Sequence, residues 1–431
     1  MNFVNKINFV QNGNKIKKVY IAGILCFDEK KSIFSRHLRI LGIPILSCKF
    51  KLYKKMHICD NLDEFIGFYN KQFITNNQRN ILWLDHSYGG GTEAYSYNKF
   101  LELSSEFNFI RIQYYPAFDT YVVSIPDIAV VNLYNLDEIK NFIYKLNLFE
   151  ICVNSLVGWK VPLDLLKIVS HYKKDHLKTK ISFRGHDFYA ICPSYNLLNC
   201  DKVFCNLSYS KGCSYCLKKI ALDNIFLVNG DIDVDIWKTS WNDFFSNTLD
   251  EMIVFSCSTK ELFIRSYPVL EKKIIIISHN TVQLPKVRID KHKNINVAFL
   301  GNMTAFAKGG EVVRKMCDYN ADPHIKFFVI GTYKNPPKNL VVTGKYNTNE
   351  LPNLIQKYRI DIVFISSVCP ETFSYTTSEA INMNIPVVCY NFGAPVERVS
   401  MYKYGLVLTE INPKNNLLEI KNFIEELRMH Q

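Results

Sequence analysis

Two acidic residues, Glu371 and Glu379, flank a run rich in hydroxyl side chains that includes Thr372, Ser374 and Thr376. The run closely follows a buried strand predicted at 361–365, and a helical pattern continues to about residue 383. Doubly wound folds bind ligands in such loops, where a strand leads into a helix. The free amides and the positive end of the helix suit a diphosphate. The residues therefore predict an anion site at this loop.

The spacing of the two carboxylates limits what they do together. Eight helical residues rise about 12 Å, whereas the two carboxylates of a retaining hydrolase lie about 5 Å apart. We therefore expect Glu371 and Glu379 to hold different parts of an extended ligand, Glu379 a ribose diol and Glu371 a sugar hydroxyl. The alternative is that both only stabilise the helix dipole. Spacing alone leaves the two interpretations open.

The segments around these residues are similar to the donor half of retaining GT-B glycosyltransferases, the large bacterial class that builds lipopolysaccharide and capsular glycans. The similarity is carried by Glu-x7-Glu, the following Pro386-Val387-Val388 strand and Gly393-Ala394-Pro395-Val396-Glu397-Arg398. The resemblance implies that Glu371 contacts the transferred sugar and that Glu379 binds the ribose. It also implies that amides near Phe373 and Ser374 hold phosphate.

A second segment resembles the phosphate-binding first loop of the same family. A predicted strand ends at Gly301, and Lys308 follows at the next helix. The resemblance implies that Lys308 neutralises the diphosphate; a solvated surface lysine is the alternative. Many members have an arginine where this chain has Asn302, which leaves one cation here. The resemblance also places Gly344 and Tyr346 beside the nucleobase, and ordinary strand-end turns explain them equally well.

A glycine run lies in the N-terminal half, after a predicted strand at 81–84. His86 is followed by Gly89, Gly90 and Gly91, and a helix is predicted next. The run lacks the spaced dinucleotide fingerprint, so NAD binding is not supported. It resembles the Gly-Gly loop of the family's acceptor half, which implies an acceptor site. A tight turn with a packed or capping His86 is the alternative.

His186 and Asp187 follow another predicted strand, at 181–183. A His-Asp pair at a strand end can orient an acceptor hydroxyl or the transferred sugar, and a related subset of transferases has a similar block. We therefore name both as candidate catalytic residues, with a satisfied polar turn as the alternative. His279 lies at the end of another predicted strand and could face the domain junction. We instead interpret it as a core or linker histidine.

Thirteen cysteines occur in the chain, and five of them fall within about 25 residues. Cys213 and Cys216 form a C-x2-C pair that could complete a four-thiolate site with Cys192 and Cys205, leaving Cys200 spare. Such a closed site would hold structural zinc. Reduced, unligated thiols are the alternative, because the spacing matches no standard zinc ribbon and the N-terminus has no export signal.

Size and charge narrow the class of protein. The chain has 431 residues, of which 48% are hydrophobic and 21% charged, which suits two globular domains. The net charge of +12 favours acidic partners such as phosphorylated substrates or anionic lipid headgroups. The sequence contains no recognisable nucleic-acid-binding motif, so a nucleic-acid partner is not expected. Without a signal peptide or a membrane-length apolar run, we expect a cytoplasmic protein, with peripheral contact to the inner face of the membrane as an option.

The elements that must position these residues are short β-branched runs alternating with helical patterns. The alternation predicts an α/β chain with two doubly wound, Rossmann-like domains, and the resemblance implies a GT-B arrangement in which they face a cleft. We predict an acceptor-side domain at 1–284 with a cysteine-rich insertion at about 192–216. A linker at about 284–293 separates it from a nucleotide-sugar domain at 294–413, and a C-terminal helix covers 414–431.

Together the residues and the resemblance predict a retaining glycosyltransferase. It would move a hexose-type sugar from a UDP or GDP donor to a glycan or lipid-linked acceptor in cell-surface polysaccharide synthesis. No Asp-x-Asp motif lies in the predicted donor loops, so no catalytic metal is expected. Two alternatives stay open: a nucleotide-sugar epimerase of similar fold, and a non-catalytic sugar-nucleotide-binding protein.

Overall fold

The computed structural model describes residues 4–11, 14–21, 24–32, 35–40, 43–49, 56–73, 78–220 and 232–429. Two compact units divide the chain. The first comprises Met1–Arg184 and Asn224–Met252, and the second comprises Gly185–Asp223 and Ile253–Gln431. This division differs from the predicted boundary at 284, because residues on both sides of that position pack together. The Cys257 and Ser258 amides, for example, donate to the Glu397 carboxylate at 3.0 and 2.6 Å.

A sheet that the sequence analysis did not predict begins the first unit. Within the described residues it contains five antiparallel strands in chain order. They are Val4–Gln11 (β1), Asn14–Ile21 (β2), Ile24–Ser32 (β3), Ser35–Ile40 (β4) and Ile43–Lys49 (β5). The sequence pattern predicts a parallel strand at 19–22 here; residues 19–21 belong to β2, which is antiparallel to both neighbours, and Ala22 lies outside the described residues. Lys15 and Lys17 are exposed and Ile16 between them is half-buried, the two-residue alternation of antiparallel strands.

The first unit also contains a mixed sheet whose strands run β12-β11-β7-β8-β9-β10-β6. Their bounds are His57–Ile58 (β6), Arg79–His86 (β7), Phe107–Tyr115 (β8), Thr120–Ile125 (β9), Ala129–Leu133 (β10), Leu148–Val153 (β11) and Lys180–Arg184 (β12). Strands β12, β11, β7 and β8 are parallel, as predicted. Strand β9 is antiparallel to both of its neighbours, which extends the Rossmann-like core.

Helices of the first unit follow its strands at Leu62–Phe73 (α1), Gly90–Leu103 (α2), Leu136–Tyr144 (α3), Pro162–Asp175 (α4) and Val234–Asn247 (α6). Three of them begin at a polar cap: at the start of α1, the Asn61 side chain accepts from the Glu64 amide at 2.9 Å. The Asn135 side chain accepts from the Glu138 amide, and the Asp233 side chain accepts from two amides of α6. Such caps satisfy amides that have no partner inside the helix.

The second unit begins with Cys213–Ile220 (α5), Glu251–Val254 (β13, which starts in the first unit), Cys257–Ser266 (α7) and Ile274–Ile276 (β14). Residues 295–408 are all described and hold six parallel strands. These are Ile295–Asn302 (β15), Ile325–Thr332 (β16), Leu340–Val342 (β17), Ile362–Ile365 (β18), Val387–Tyr390 (β19) and Gly405–Leu408 (β20). Their order, β17-β16-β15-β18-β19-β20, is that of a doubly wound sheet with its switch point between β15 and β18.

Both faces of this six-stranded sheet are buried. Alternate residues of β15 belong to different core clusters, Val297 and Phe299 to one and Ala298 and Leu300 to the other. Helices cover the faces at Gly310–Tyr319 (α8), Leu351–Lys357 (α9), Tyr375–Asn382 (α10), Gly393–Val399 (α11) and Pro413–Met429 (α12). Short 3-10 helices occur at Pro116–Phe118, Pro268–Leu270, Phe306–Lys308 and Thr348–Glu350. No helix of the described residues is long and apolar enough to cross a bilayer.

Candidate functional site

The site is built around an ion pair between two loops. Both loops lie at the switch point of the six-stranded sheet in the second unit. Lys308 lies in the 3-10 helix after β15, and Glu371 lies in the loop after β18. The Lys308 Nζ atom is 2.8 Å from Glu371 Oε2, with Lys308 45% and Glu371 11% exposed. The Ser367 hydroxyl donates to the other carboxylate oxygen. Glu371 is therefore fixed on both oxygens, while the Lys308 side chain stays partly exposed.

The charges of this pair support each other. Burial raises the pKa of Glu371, but the Lys308 charge and hydrogen bonds from Lys308, Ser367 and Ser374 lower it below its ordinary value. Burial lowers the pKa of Lys308, but the charge and hydrogen bond of Glu371 raise it above its ordinary value. Both groups are therefore ionised at neutral pH.

Two glycines allow the loops to come this close. Gly309 has φ 84°, and a Cβ atom there would lie 2.0 Å from the Ser366 carbonyl oxygen. A Cβ atom on Gly393 would lie 2.6 Å from the Glu371 amide nitrogen, and the next amide, of Ala394, donates to the Glu371 carbonyl at 2.8 Å. Larger residues at either position would push the loops apart.

Helix α10 begins beside this pair without a side-chain cap. Its N-cap residue, Ser374, has φ 70° and ψ 91°, and no side chain accepts from the first-turn amides. The Ser374 hydroxyl instead accepts from Thr377 Oγ1 at 2.9 Å. Amides left open at a helix start form an anion-binding site. A diphosphate placed here would also lie next to Lys308.

Glu379 lies in the second turn of α10 and is 9% exposed. Its Oε1 atom accepts from Thr348 Oγ1 at 3.4 Å, and its buried Oε2 atom has no hydrogen-bond partner among the described residues. Burial raises the pKa of Glu379. A buried carboxylate oxygen without a donor is costly, and a ligand with paired hydroxyl groups would remove that cost.

The premise that Glu371 and Glu379 are separated by eight helical residues was wrong. Glu371 belongs to the loop, and α10 begins only at Tyr375. The separation of the carboxylates is therefore set by the loop conformation and not by a helical rise.

The remaining residues predicted for the donor line the ends of neighbouring strands. Gly301 and Gly331 are paired at the ends of β15 and β16, and a Cβ atom on Gly331 would lie 1.9 Å from the Gly301 carbonyl oxygen. The Gly344 amide donates to the Gly331 carbonyl at 2.9 Å. Burial, followed by the charge of Glu379, raises the pKa of Tyr346. Asn302 accepts from the Thr304 amide and from Thr332 Oγ1, both at 3.1 Å.

An aromatic cluster that the sequence analysis missed joins His186 to the loop before α10. His279 stacks on Phe373 with ring centroids 4.4 Å apart and hydrogen-bonds the Tyr375 hydroxyl. Phe255 lies 3.9 Å from the His279 ring and 4.6 Å from the His186 ring. His279 is buried as expected of a core residue, but it is also part of the site. No spacing could reveal this, because 96 positions separate it from Tyr375.

His186 is tied to the same loop through its backbone, since Thr372 Oγ1 donates to the His186 carbonyl at 2.9 Å. The Asp187 carboxylate accepts from the Tyr189 amide at 2.8 Å, the bond expected of a polar turn. The structure thus brings His186 to the donor loop. The catalytic roles of His186 and Asp187 stay predictions.

The glycine loop of the first unit has a different environment. Gly89 and Gly90 both have φ 78°, and α2 starts at Gly90 without a side-chain cap. His86 is buried, its carbonyl accepts from Gln113 Nε2 at 2.7 Å, and its Nδ1 atom accepts from the Tyr88 amide at 3.2 Å. These bonds fit the packed or capping interpretation of His86. An acceptor role for Gly89, Gly90 and Gly91 stays a prediction.

Of the four cysteines predicted to bind zinc, Cys192 and Cys216 contact different partners. Cys192 Sγ contacts Ser194 Oγ at 3.3 Å, and Cys216 Sγ accepts from the Cys200 amide at 3.2 Å. Among the described residues, the ligand atoms close enough to share one ion come from His57, Cys59 and Glu64, where an exposed His57–Glu64 ion pair explains the approach. The four-thiolate site stays a prediction.

Comparisons with known proteins assign the region that carries the site. Residues 287–430 match the family model "Glycosyl transferases group 1". The chain is a glycosyltransferase. A comparison with curated protein sequences gives no match.

Solved structures similar to this glycosyltransferase agree on the fold. HepE from Anabaena, in complex with UDP-glucose, has a TM-score of 0.51 and 14% identity, over 81% of this chain and 90% of its own. Sucrose-phosphate synthase from Thermosynechococcus elongatus has a TM-score of 0.52 and 12% identity, over 82% and 94%. The lipopolysaccharide outer core galactosyltransferase WaaB has a TM-score of 0.50 and 11% identity, over 81% and 91%. The predicted GT-B fold with two Rossmann-like domains is confirmed.

Proposed function

We propose that this glycosyltransferase moves a hexose-type sugar from a UDP or GDP donor to a glycan or lipid-linked acceptor, with retention, in cell-surface polysaccharide synthesis. The pairing of Lys308 with Glu371, beside the uncapped start of α10, carries the proposal. HepE was solved with UDP and with UDP-glucose, and WaaB is an outer core galactosyltransferase. Both support a nucleotide-sugar donor.

Each part of the site has one task in this proposal. The amides at the start of α10 and the Lys308 ammonium bind the diphosphate and stabilise the charge that develops as it departs. Glu371 accepts from a hydroxyl of the transferred sugar and faces the oxocarbenium-like centre. Glu379 accepts from the ribose diol, which supplies donors to its free oxygen. Because Lys308 already contacts Glu371, the sugar–phosphate junction lies between the two side chains.

Further parts of the proposal rest on the sequence. His186 and Asp187 orient the acceptor hydroxyl or the sugar, and the Gly89–Gly91 loop serves the acceptor. The donor loops need no divalent metal. The enzyme works in the cytoplasm, where its basic surface meets the anionic inner face of the membrane.

A thermal-shift screen with UDP- and GDP-sugars tests the donor site. We expect one nucleotide series to raise the melting temperature of the wild type, and Lys308→Ala and Glu379→Ala each to remove most of that rise. Lys421→Ala is a matched control, because Lys421 pairs with Asp322 at the same 2.8 Å within the same unit. Stabilisation that persists in both site variants would contradict the proposal. The anomeric configuration of the product, read by NMR, tests retention.

A further inference from the structure

Arg398, on α11, contacts the loop that precedes α10, and no role was predicted for it. Its guanidinium donates to the Phe373 carbonyl, to the Ser374 carbonyl (Nη2–O 3.2 Å) and to the Ser378 hydroxyl. The guanidinium carbon also lies 4.6 Å from the centroid of the Phe373 ring. Within the described residues, all these hydrogen bonds go to uncharged oxygens. The guanidinium therefore binds the backbone at two successive peptide groups, and its positive charge lies next to both carbonyls.

The two peptide groups are those that begin the proposed diphosphate site. The Phe373 carbonyl shares its peptide with the Ser374 N–H, and the Ser374 carbonyl shares its peptide with the Tyr375 N–H. In a trans peptide the carbonyl and the N–H point in opposite directions. A hydrogen bond to the carbonyl polarises the peptide and strengthens its N–H as a donor. Arg398 therefore acts on these two donors from the side opposite to their N–H groups.

The local backbone also needs such support. Ser374 has φ 70°, a conformation that is unfavourable for a residue with a side chain and persists only where its surroundings hold it. The two carbonyls bound by Arg398 lie immediately before and at this residue. Arg398 thus fixes the unusual conformation in which α10 starts uncapped.

We propose that Arg398 is a positioning residue for the donor diphosphate, which it stabilises through the Ser374 and Tyr375 amides without touching it. This inference rests on the proposed donor site. It supplies a second cation to a site where the strand-end position holds Asn302, whose side chain is engaged with Thr304 and Thr332. It also predicts selectivity, because only a ligand with phosphate groups benefits. Arg398 should favour a nucleoside diphosphate over the bare nucleoside.

Titrations of the full chain with UDP, UMP and uridine, or with the guanosine series if the screen selects it, test this role. We expect Arg398→Met to weaken the diphosphate about 10-fold, roughly one charge-assisted hydrogen bond, and to leave the nucleoside unchanged. Arg398→Lys should show a smaller loss, because an ammonium cannot bond two carbonyls and stack on Phe373 together. The ratio of the two affinities is measured within each variant, so a partly unfolded sample does not change it.

The outcomes separate this role from a general structural one. An equal loss of diphosphate and nucleoside affinity in Arg398→Met, or no loss of either, would overturn the positioning role while leaving the donor site intact. A wild type that binds no nucleotide of either series would overturn the proposed function, and this inference with it.

Discussion

The molecule contains two loops of the same kind, one in each unit. The loop of residues 87–89 follows β7 and leads into α2, and the loop of residues 366–374 follows β18 and leads into α10. Both helices start without a side-chain cap. Their surroundings differ. In the first unit the neighbouring carboxylate, Asp85, is fully buried and accepts from the side chains of Ser96, Arg111 and Asn154.

In the second unit the polar groups around α10 are less completely hydrogen-bonded. Lys308 is accessible and gives its hydrogen bond to Glu371, and Glu379 keeps an oxygen without a donor. Both oxygens of Asp85 have donors without a ligand, whereas at α10 one oxygen of Glu379 has none among the described residues. A strand-to-helix loop is therefore insufficient to identify a site, and the satisfaction of nearby polar groups distinguishes a folding element from a binding one.

The largest effect is expected from removing the Asp85 carboxylate. Asp85→Ala leaves the buried guanidinium of Arg111 with Glu93 alone, and losing a partner of a buried ion pair costs about 3–5 kcal/mol. Denaturant unfolding should show that loss, and nucleotide affinity of the folded fraction should not change. A loss of nucleotide affinity at unchanged stability would make this loop a binding element.

Removing the charge of Glu371 should affect the reaction more than the fold. Glu371→Gln is expected to lower kcat for sugar transfer about 100-fold, the size of effect seen when one electrostatic group at a reacting centre is lost. UDP affinity should stay equal or rise, because Lys308 is released from its ion pair. A parallel loss of UDP affinity and kcat would show that Glu371 only organises the loop.

A smaller effect is expected from the glycine that begins α2. Gly90 has φ 78°, and a Cβ atom added there would meet open space, so Gly90→Ala adds only backbone strain of about 1–2 kcal/mol. Gly67→Ala in α1 is the control. It also meets open space, but at a helical position where alanine is favoured by roughly 0.5–1 kcal/mol. Unfolding curves should therefore shift in opposite directions.

The smallest effect concerns Glu379 and depends on pH. Burial raises its pKa in the folded state, so its contribution to stability is full below the unfolded pKa of about 4.3 and is lost as pH rises through the folded pKa. Without ligand, Glu379→Gln should melt above the wild type at pH 8, and the gap should close towards pH 4. A gap that does not vary with pH would show that Glu379 is already satisfied.

The sequence analysis predicted the six-stranded parallel sheet of the second unit well and the N-terminal antiparallel sheet poorly. Buried parallel strands are continuous apolar runs, and the strand predicted at 361–365 is β18, Ile362–Ile365, in the structure. The strands β1–β5 carry alternating polar residues, which hide them from a search for such runs. Antiparallel β9 is also an apolar run, but its direction depends on pairing that no run of residues reveals.

The site was predicted in composition but not in geometry. Glu371 and Glu379 were predicted as site residues from their position in a strand-to-helix loop. Lys308 was predicted from the family resemblance. Their contacts were not accessible, since Lys308 and Glu371 are 63 positions apart. Arg398 and His279 were present in the sequence analysis only as part of a motif and as a core histidine. Their roles depend on loops that meet through folding, which residue spacing does not encode.

A crystal structure of the chain with a bound nucleoside diphosphate tests the central claim most directly. We expect the diphosphate within hydrogen-bond distance of the Ser374 and Tyr375 amides and of Lys308 Nζ, with the ribose hydroxyl groups on Glu379. A nucleotide bound instead at the Gly89–Gly90 turn, or away from α10, would contradict the assignment of the donor site to the second unit.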